Sequence, residues 1–453
     1  MKTIQFVHEG LGNSSYVLDL GNGTAVAVDP DRSAARYLDT LRENGLRLSG
    51  ILETHLHADF VSGARELTSA TGAPIFLAKD AGSRLPVQAI QGGQTFQVDG
   101  AEVLALASPG HTPEHLSFVV RPAAGTPLLF SGGSLIVGGA ARTDLLSPEL
   151  TEPLTRAQFQ TLRRAFSALP DDTLLYPTHG GGSFCSTGAG SERTSTLGRE
   201  RRDNPLLSFE DEDEFVSWFP ATFPAAPGYF FRMRAVNQAG PRLRSEIAMP
   251  PPLAAEEFAR LLGGAAVVDG RSKEEYARGH IPGALSNPVR DDYAVWLGWL
   301  LPENTNLLFV ANSGDIDRMI DQSFLVGFEG LTGWLKGGVE AWQASGREVR
   351  RLDLVDAARA RKLLLDGAVS LDVRQPDEYA AGHIDGAIHI PLGELAENTQ
   401  RLPHDRPVVV YCGHGERASS GASLLEGAGF RDLINLDGGI GAWQTAGYPL
   451  GNQ

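Results

Sequence analysis

The strongest constraint on this chain is that its second half is written twice. Val268-Asp269-Gly270-Arg271 returns as Leu371-Asp372-Val373-Arg374, and Glu275-Tyr276 returns as Glu378-Tyr379. Gly279-His280-Ile281-Pro282-Gly283-Ala284 returns as Gly382-His383-Ile384-Asp385-Gly386-Ala387. Leu335-Lys336-Gly337-Gly338 and Ala341-Trp342 match Leu436-Asp437-Gly438-Gly439 and Ala442-Trp443. A period of roughly 100 residues is too long for a solenoid and specifies two tandem domains. The copies differ at one telling place. In the second, the apolar run Val408-Val409-Val410-Tyr411 leads into Cys412-Gly413-His414-Gly415-Glu416-Arg417. In the first, the aligned run ending at Val310 leads into Ala311-Asn312-Ser313-Gly314-Asp315. The only cysteines are Cys185 and Cys412, so the first copy has no thiol to offer there.

The Cys412 segment reads as strand, tight loop and helix, with the helix expected over 418–426. Such a loop turns successive backbone N–H groups inward at the positive end of a helix, where a thiolate is stabilised. A lone cysteine beside a turn is ordinarily a buried packing residue. The nearby arginine, the two glycines and the strand-to-helix context favour a reactive sulfur instead. The second copy, over about 353–453, resembles a rhodanese (sulfurtransferase) domain, with the flanking motifs in that family's order. The resemblance implies that Cys412 carries a persulfide sulfur between donor and acceptor. It further implies that Arg417 assists and that Gly413, His414, Gly415 and Glu416 form the cradle. Four residues separate Cys412 from Arg417, one fewer than in related phosphatases, which favours sulfur over phosphate. The first copy, 253–349, is then rhodanese-like and non-catalytic.

At 453 residues the chain is long enough for about three domains. A net charge of −16 argues against nucleic acids and anionic membranes as partners, since both demand basic patches. Two cysteines exclude a disulfide framework and fit a reducing cytosol, so a cytoplasmic protein is expected. The first ten residues lack a signal-peptide core, and no run approaches the ~20 apolar residues of a membrane span. Met249-Pro250-Pro251-Pro252 reads as a stiff linker closing the first region. The acidic run from Glu210 to Glu214 reads as a solvated helix start.

Residues 1–245 carry a second chemistry. A buried strand, Gly50-Ile51-Leu52-Glu53-Thr54, runs into His55-Leu56-His57-Ala58-Asp59-Phe60, with a helix expected over 62–70. His111, in Ser108-Pro109-Gly110-His111-Thr112, and His179, in Pro177-Thr178-His179-Gly180, follow at later strand ends. Four histidines at successive strand–loop junctions are hard to explain as isolated loop residues. Thr54-His55-Leu56-His57-Ala58-Asp59, Pro109-Gly110-His111-Thr112-Pro113, Arg142-Thr143-Asp144-Leu145 and His179-Gly180 resemble a metallo-β-lactamase fold, in its persulfide dioxygenase branch related to glyoxalase II. Two positions depart from that pattern. Phe60 stands where a histidine ligand is expected, and Gly133 where a ligating aspartate is expected. The resemblance therefore implies at most one metal, Fe(II) or Zn(II). His55, His57 and His111 are its expected ligands, with Asp59 and His179 as further candidates. Cys185 reads as a packing cysteine; the alternative is a sulfur relay near the metal.

The expected architecture is an α/β multidomain protein: an αββα metallo-β-lactamase sandwich followed by two rhodanese α/β domains with central parallel sheets. The expected function is persulfide and sulfane-sulfur metabolism, with sulfur transfer through a Cys412 persulfide. The expected partners are small-molecule persulfides, thiosulfate or thiols; a homo-oligomer is compatible with the sequence. The alternative is a sulfur carrier or docking protein whose first domain only binds.

Overall fold

The computed structural model describes residues 1–122, 125–187 and 190–451. The chain divides into two compact units: Met1–Ile247 with Phe324–Gly327, and the remainder from Ala248 onward. Among the described residues, no helix is long and apolar enough to cross a membrane.

The first unit is built on two six-stranded sheets. One runs in chain order through Lys2–His8, Asn13–Asp19, Thr24–Val28, Arg47–Leu52, Ile75–Ala78 and Val87–Ile90. The other is ordered Ser195–Thr196, Leu174–Pro177, Leu128–Gly132, Leu116–Arg121, Ala101–Ala107, Thr95–Val98. Its central strands Leu116–Arg121 and Leu128–Gly132 are buried on both faces, and the period-two alternation of side chains sorts them into two cores. Phe118, Val120, Leu128 and Phe130 join the core shared with Val17, Val26 and Ile51 of the first sheet. Val119, Leu129 and Leu175 point the other way, onto Phe159 and Leu162 of the helix Pro148–Arg164 and onto Phe215. This is the expected layered sandwich.

Three local expectations shift by a residue or two, each for a visible reason. The strand expected through Thr54 ends at Leu52, because the Asp29 carboxylate captures the Thr54 N–H and hydroxyl. The helix expected from Ser62 begins at Ala64: the Ser62 hydroxyl donates to Glu53 at 2.6 Å and accepts from the Ala64 N–H. The acidic run starts a helix at Glu212, with Asp211 accepting from the Asp213 and Glu214 N–H groups as its N-cap.

The second unit holds two five-stranded sheets of identical order and all-parallel pairing. The first is Pro252–Leu253, Leu331–Leu335, Leu307–Val310, Ala266–Asp269, Leu285–Ser286. The second is Asp353–Val355, Leu433–Leu436, Val408–Tyr411, Val369–Asp372, Ile388–His389. The proline run is not purely a linker. Its last proline enters the edge strand, where a missing N–H costs nothing, and the Pro251 carbonyl accepts from the Trp334 N–H at 3.0 Å.

The repeated motifs are braces. Arg271 grips Asp269 through two nitrogens and also donates to the Gly279 carbonyl at 2.8 Å. Arg374 does the same with Asp372 and with the Gly382 carbonyl at 2.7 Å. Tyr276 stacks on His280 at 3.9 Å, and Tyr379 on His383 at 3.8 Å. The indole N–H groups of Trp342 and Trp443 each donate to a carbonyl six residues ahead. Removing one side of a buried ion pair strands the other charge, so Arg374→Ala should cost about 3–5 kcal/mol. Arg271→Ala should cost a similar amount, and both should lower the denaturant midpoint of the second unit. A change below about 1 kcal/mol in either would show that the braces are not fully desolvated.

Candidate functional site

The Cys412 loop connects the strand Val408–Tyr411 to the helix Glu416–Gly427, which starts two residues earlier than expected because Gly415 turns the chain at φ 111°. Every carbonyl of the turn is held from outside. Cys412 O accepts from the Ile440 N–H at 2.8 Å and Gly413 O from the Gly441 N–H at 3.4 Å. His414 O accepts from Lys273 Nζ at 2.8 Å, and Gly415 O from Asn435 Nδ2 at 3.0 Å. With the carbonyls pointing out, the amides are free to point in, and the Gly415 N–H reaches Cys412 Sγ at 3.1 Å. The second glycine of Leu436-Asp437-Gly438-Gly439 explains part of that motif. A Cβ on Gly439, at φ 55°, would lie 2.2 Å from Cys412 O, so no side chain fits where this turn backs the loop.

Arg417 lies beside the sulfur, but its terminal nitrogens are taken by Glu378, at 2.6 and 2.7 Å. Burial works against the Arg417 charge; Glu378 and the Cys412 sulfur more than offset it and strengthen its hold on the proton. The same pairing overcomes burial at Glu378 and keeps its carboxyl below the usual range. Arg417 is thus a fixed guanidinium near Sγ rather than a direct donor to it. In the first copy the position of Cys412 is taken by Ala311, just past the strand Leu307–Val310.

The histidines converge, with a change in membership. Asp29, at φ 46° just past the strand Thr24–Val28, accepts from the Thr54 N–H and hydroxyl at 2.7 Å each and from the Thr178 hydroxyl. It thereby binds the two junctions that carry His55 and His179. Because the Thr54 hydroxyl gives its proton to Asp29, it can only accept from His55 Nδ1, at 2.8 Å, and the lone pair of His55 is left on Nε2. His111 Nδ1 donates to the Arg142 carbonyl at 2.7 Å, which leaves its buried Nε2 bare and unpartnered. Asn13 turns its NH₂ to Asp59 at 2.7 Å, so its oxygen accepts from His179 Nδ1 at 3.1 Å. The Nε2 atoms of His179 and His55 then face each other at 3.3 Å. The ligand atoms of His55, His111 and His179 all lie within 4.8 Å of one another. Burial, reinforced by the neighbouring imidazoles, pushes His111 down to about 3 and His55 well below its ordinary range, so both are neutral. Three bare imidazole nitrogens with fixed tautomers fit a single divalent ion.

His57, expected beside His55 and His111, groups instead with Asp29 and His55, or with Asp59 and His179. It sits 3.4 Å from an Asp29 oxygen and 3.3 Å from a Glu53 oxygen. These carboxylates outweigh burial and hold its imidazolium up at about 10. Phe60 stacks on His57 with ring centres 4.3 Å apart. Gly133 lies against the cluster: a Cβ there would be 2.7 Å from His111 Cδ2, so an aspartate could enter only if that ring moved. Its N–H is taken by His115 Nε2 at 3.0 Å, and His115 stacks on His55 at 4.8 Å with both nitrogens engaged. Asp59 accepts from Asn13 at one carboxylate oxygen and keeps the other buried and unpartnered. Cys185 is fully buried; burial and then Asp59 push its thiol well up, so it stays protonated, as a packing cysteine does.

Comparison with known proteins agrees with both halves. Residues 254–345 and 356–446 each match the rhodanese-like domain, and residues 8–179 match the metallo-beta-lactamase superfamily. The chain is 38% identical over 95 residues to the thiosulfate sulfurtransferase GlpE of Pseudomonas entomophila, covering 21% of this chain and 86% of that one. It is 30% identical over 205 residues to the human mitochondrial persulfide dioxygenase ETHE1, covering 45% of this chain and 74% of that one. The chain belongs to the metallo-beta-lactamase superfamily and, through its repeated half, to the rhodanese family. A metallo-beta-lactamase from Staphylococcus aureus superposes with a TM-score of 0.66 at 28% identity, over 74% of this chain and 98% of that one.

Several residues of the metallo-beta-lactamase and rhodanese sites escape the sequence reading. Asp29 had a signal, a charge ending an apolar strand in Val28-Asp29-Pro30; Glu378 had one, its repetition with Tyr379 in both copies. Asn13, His115, Asn435 and Lys273 had none, since their partners are remote in sequence. The purified protein should carry one divalent ion per chain. Thr54→Val and Asn13→Ala, neither of which touches the ion, should weaken its retention against a chelator by ~10–100-fold. Two ions per chain, or wild-type retention in both variants, would overturn the three-imidazole assignment.

Proposed function

We propose that this protein transfers sulfane sulfur through Cys412 and that its first domain is a mononuclear metal site acting on persulfides. The observation that carries the first part is the outward tethering of all four loop carbonyls, with the Gly415 N–H turned onto the sulfur at 3.1 Å. The Cys412 thiolate attacks the outer sulfur of thiosulfate or of a low-molecular-weight persulfide. The S–S bond of the donor breaks, and sulfite or a thiolate leaves with the electron pair. The resulting Cys412 persulfide is an anion opposed by the loop amides and by the fixed charge of Arg417. A thiolate or cyanide then takes the terminal sulfur and returns Cys412 to a thiolate. Glu378 keeps Arg417 in place without placing a carboxylate on the sulfur. The GlpE relatives, named thiosulfate sulfurtransferases, support this reading. Two free cysteines suit a reducing, cytoplasmic setting.

For the first domain, resemblance to a persulfide dioxygenase and the three bare Nε2 atoms support one ion on His55, His111 and His179. A ferrous ion there would supply the O₂ chemistry; the residues themselves bind it, keep their tautomers and exclude water. A second reading, a binding module without turnover, draws on Gly133 and Phe60, which offer no ligand. Persulfide-dependent O₂ uptake by the iron-loaded protein separates the two.

Cys412→Ser should reduce thiosulfate:cyanide sulfur transfer to background, while Cys185→Ser retains it. Arg417→Lys, which cannot make the two-pronged contact with Glu378, should lower transfer roughly tenfold. Transfer that persists in Cys412→Ser would sink the proposal.

A further inference from the structure

The cysteine-less copy has a role in the geometry of the loop. Lys273 opens the helix Lys273–Arg278 of that copy and is nearly buried, an uncommon state for lysine. Its ammonium has three protons to donate and meets three oxygens of the other copy. These are His414 O at 2.8 Å, Glu416 Oε1 at 3.1 Å and Asp437 Oδ1 at 3.3 Å. The first two belong to the Cys412 loop; the third belongs to the Leu436-Asp437-Gly438-Gly439 turn that backs it. The lysine stem passes over Gly415, where a Cβ would come within 3.2 Å of Lys273 Cδ.

The contact continues along the helix that follows the loop. Ser419, Ser423 and Glu426 share one helical face, by their spacing of four and three. All three are bonded to the first copy. Ser286 Oγ meets Ser419 Oγ at 2.8 Å, the Ser286 N–H donates to Ser423 at 3.0 Å, and His280 Nε2 reaches Glu426 at 3.1 Å. The counterpart of Lys273 in the second copy is Pro376, which carries no ammonium.

We propose that the cysteine-less copy acts as a clamp on the catalytic loop of its neighbour, with Lys273 as a positioning residue that holds the His414 carbonyl outward. Three of the four loop carbonyls are satisfied from within the second copy; the fourth depends on the first. Without that tether the His414–Gly415 peptide is free to rotate, and the Gly415 N–H loses its aim at Cys412. The proposal rests on Cys412 as the sulfur carrier.

The full-length protein tests it. Lys273→Met keeps the stem and removes the donors. Loss of a charged hydrogen bond predicts a fall in thiosulfate:cyanide transfer of about tenfold, mainly in kcat. Alkylation of Cys412 by iodoacetamide, followed by mass spectrometry of its peptide, should slow at neutral pH and shift its pH midpoint upward. Lys273→Arg should retain most of both. Arg278→Gln, on the same helix but away from the loop contacts, should leave both unchanged. Wild-type kinetics and a wild-type alkylation profile in folded Lys273→Met would overturn the clamp. So would a fall in Lys273→Arg as deep as in Lys273→Met. Wild-type protein without Cys412-dependent transfer would instead overturn the sulfur-carrier reading, while the alkylation profile still reports on the clamp.

Discussion

A peptide loop can turn its N–H groups toward a sulfur only if its carbonyls find partners on the other side. That accounting governs the second unit. Ile440 and Gly441 take two carbonyls, Asn435 a third and Lys273 the fourth. The glycine pair at 438–439 exists to bring a helix start against the back of the loop, and the strand Leu433–Leu436 delivers both Asn435 and that turn. Fold and chemistry meet at this point: the same parallel sheet that sets the strand order also sets which donors stand behind the cysteine.

A comparable economy organises the first unit. One buried carboxylate, Asp29, joins two strand–loop junctions, and proton direction then propagates outward through Thr54 to His55. Asn13 and the Arg142 carbonyl perform the same task for His179 and His111. The result is a trio of lone pairs aimed at a common point. Gly133 and Phe60 remove a carboxylate and an imidazole from the surroundings. His57 lies 3.4 Å from an Asp29 oxygen and 3.3 Å from a Glu53 oxygen.

The two copies of the rhodanese half show how a duplicated domain diverges. The Asp–Arg braces, the tyrosine–histidine stacks and the tryptophan caps are kept in both, because each copy needs them to close its own core. The thiol is kept in one. The other contributes a helix start, a serine and a histidine to the face of its neighbour, and its core is continuous with it through Trp296, Leu308, Leu392 and Cys412.

Much of this was legible in the chain itself. The period of the repeat determined two tandem domains, alternation and apolar runs determined the strands, and the Ala311–Cys412 contrast determined which copy carries the thiol. Those features are local, and a short stretch of sequence carries them entirely. What the sequence could not decide was membership at a distance. His57 stands two residues from His55 in the chain, yet it is His179, 124 residues away from His55, whose Nε2 faces that of His55 at 3.3 Å and groups with His55 and His111. Arg417 follows the cysteine, yet its charge is fixed by Glu378; the loop follows its own strand, yet Lys273 of the other copy holds it. Direction of a lone pair and satisfaction of a carbonyl depend on groups brought together only by sheet order and packing. The tertiary structure alone determines them.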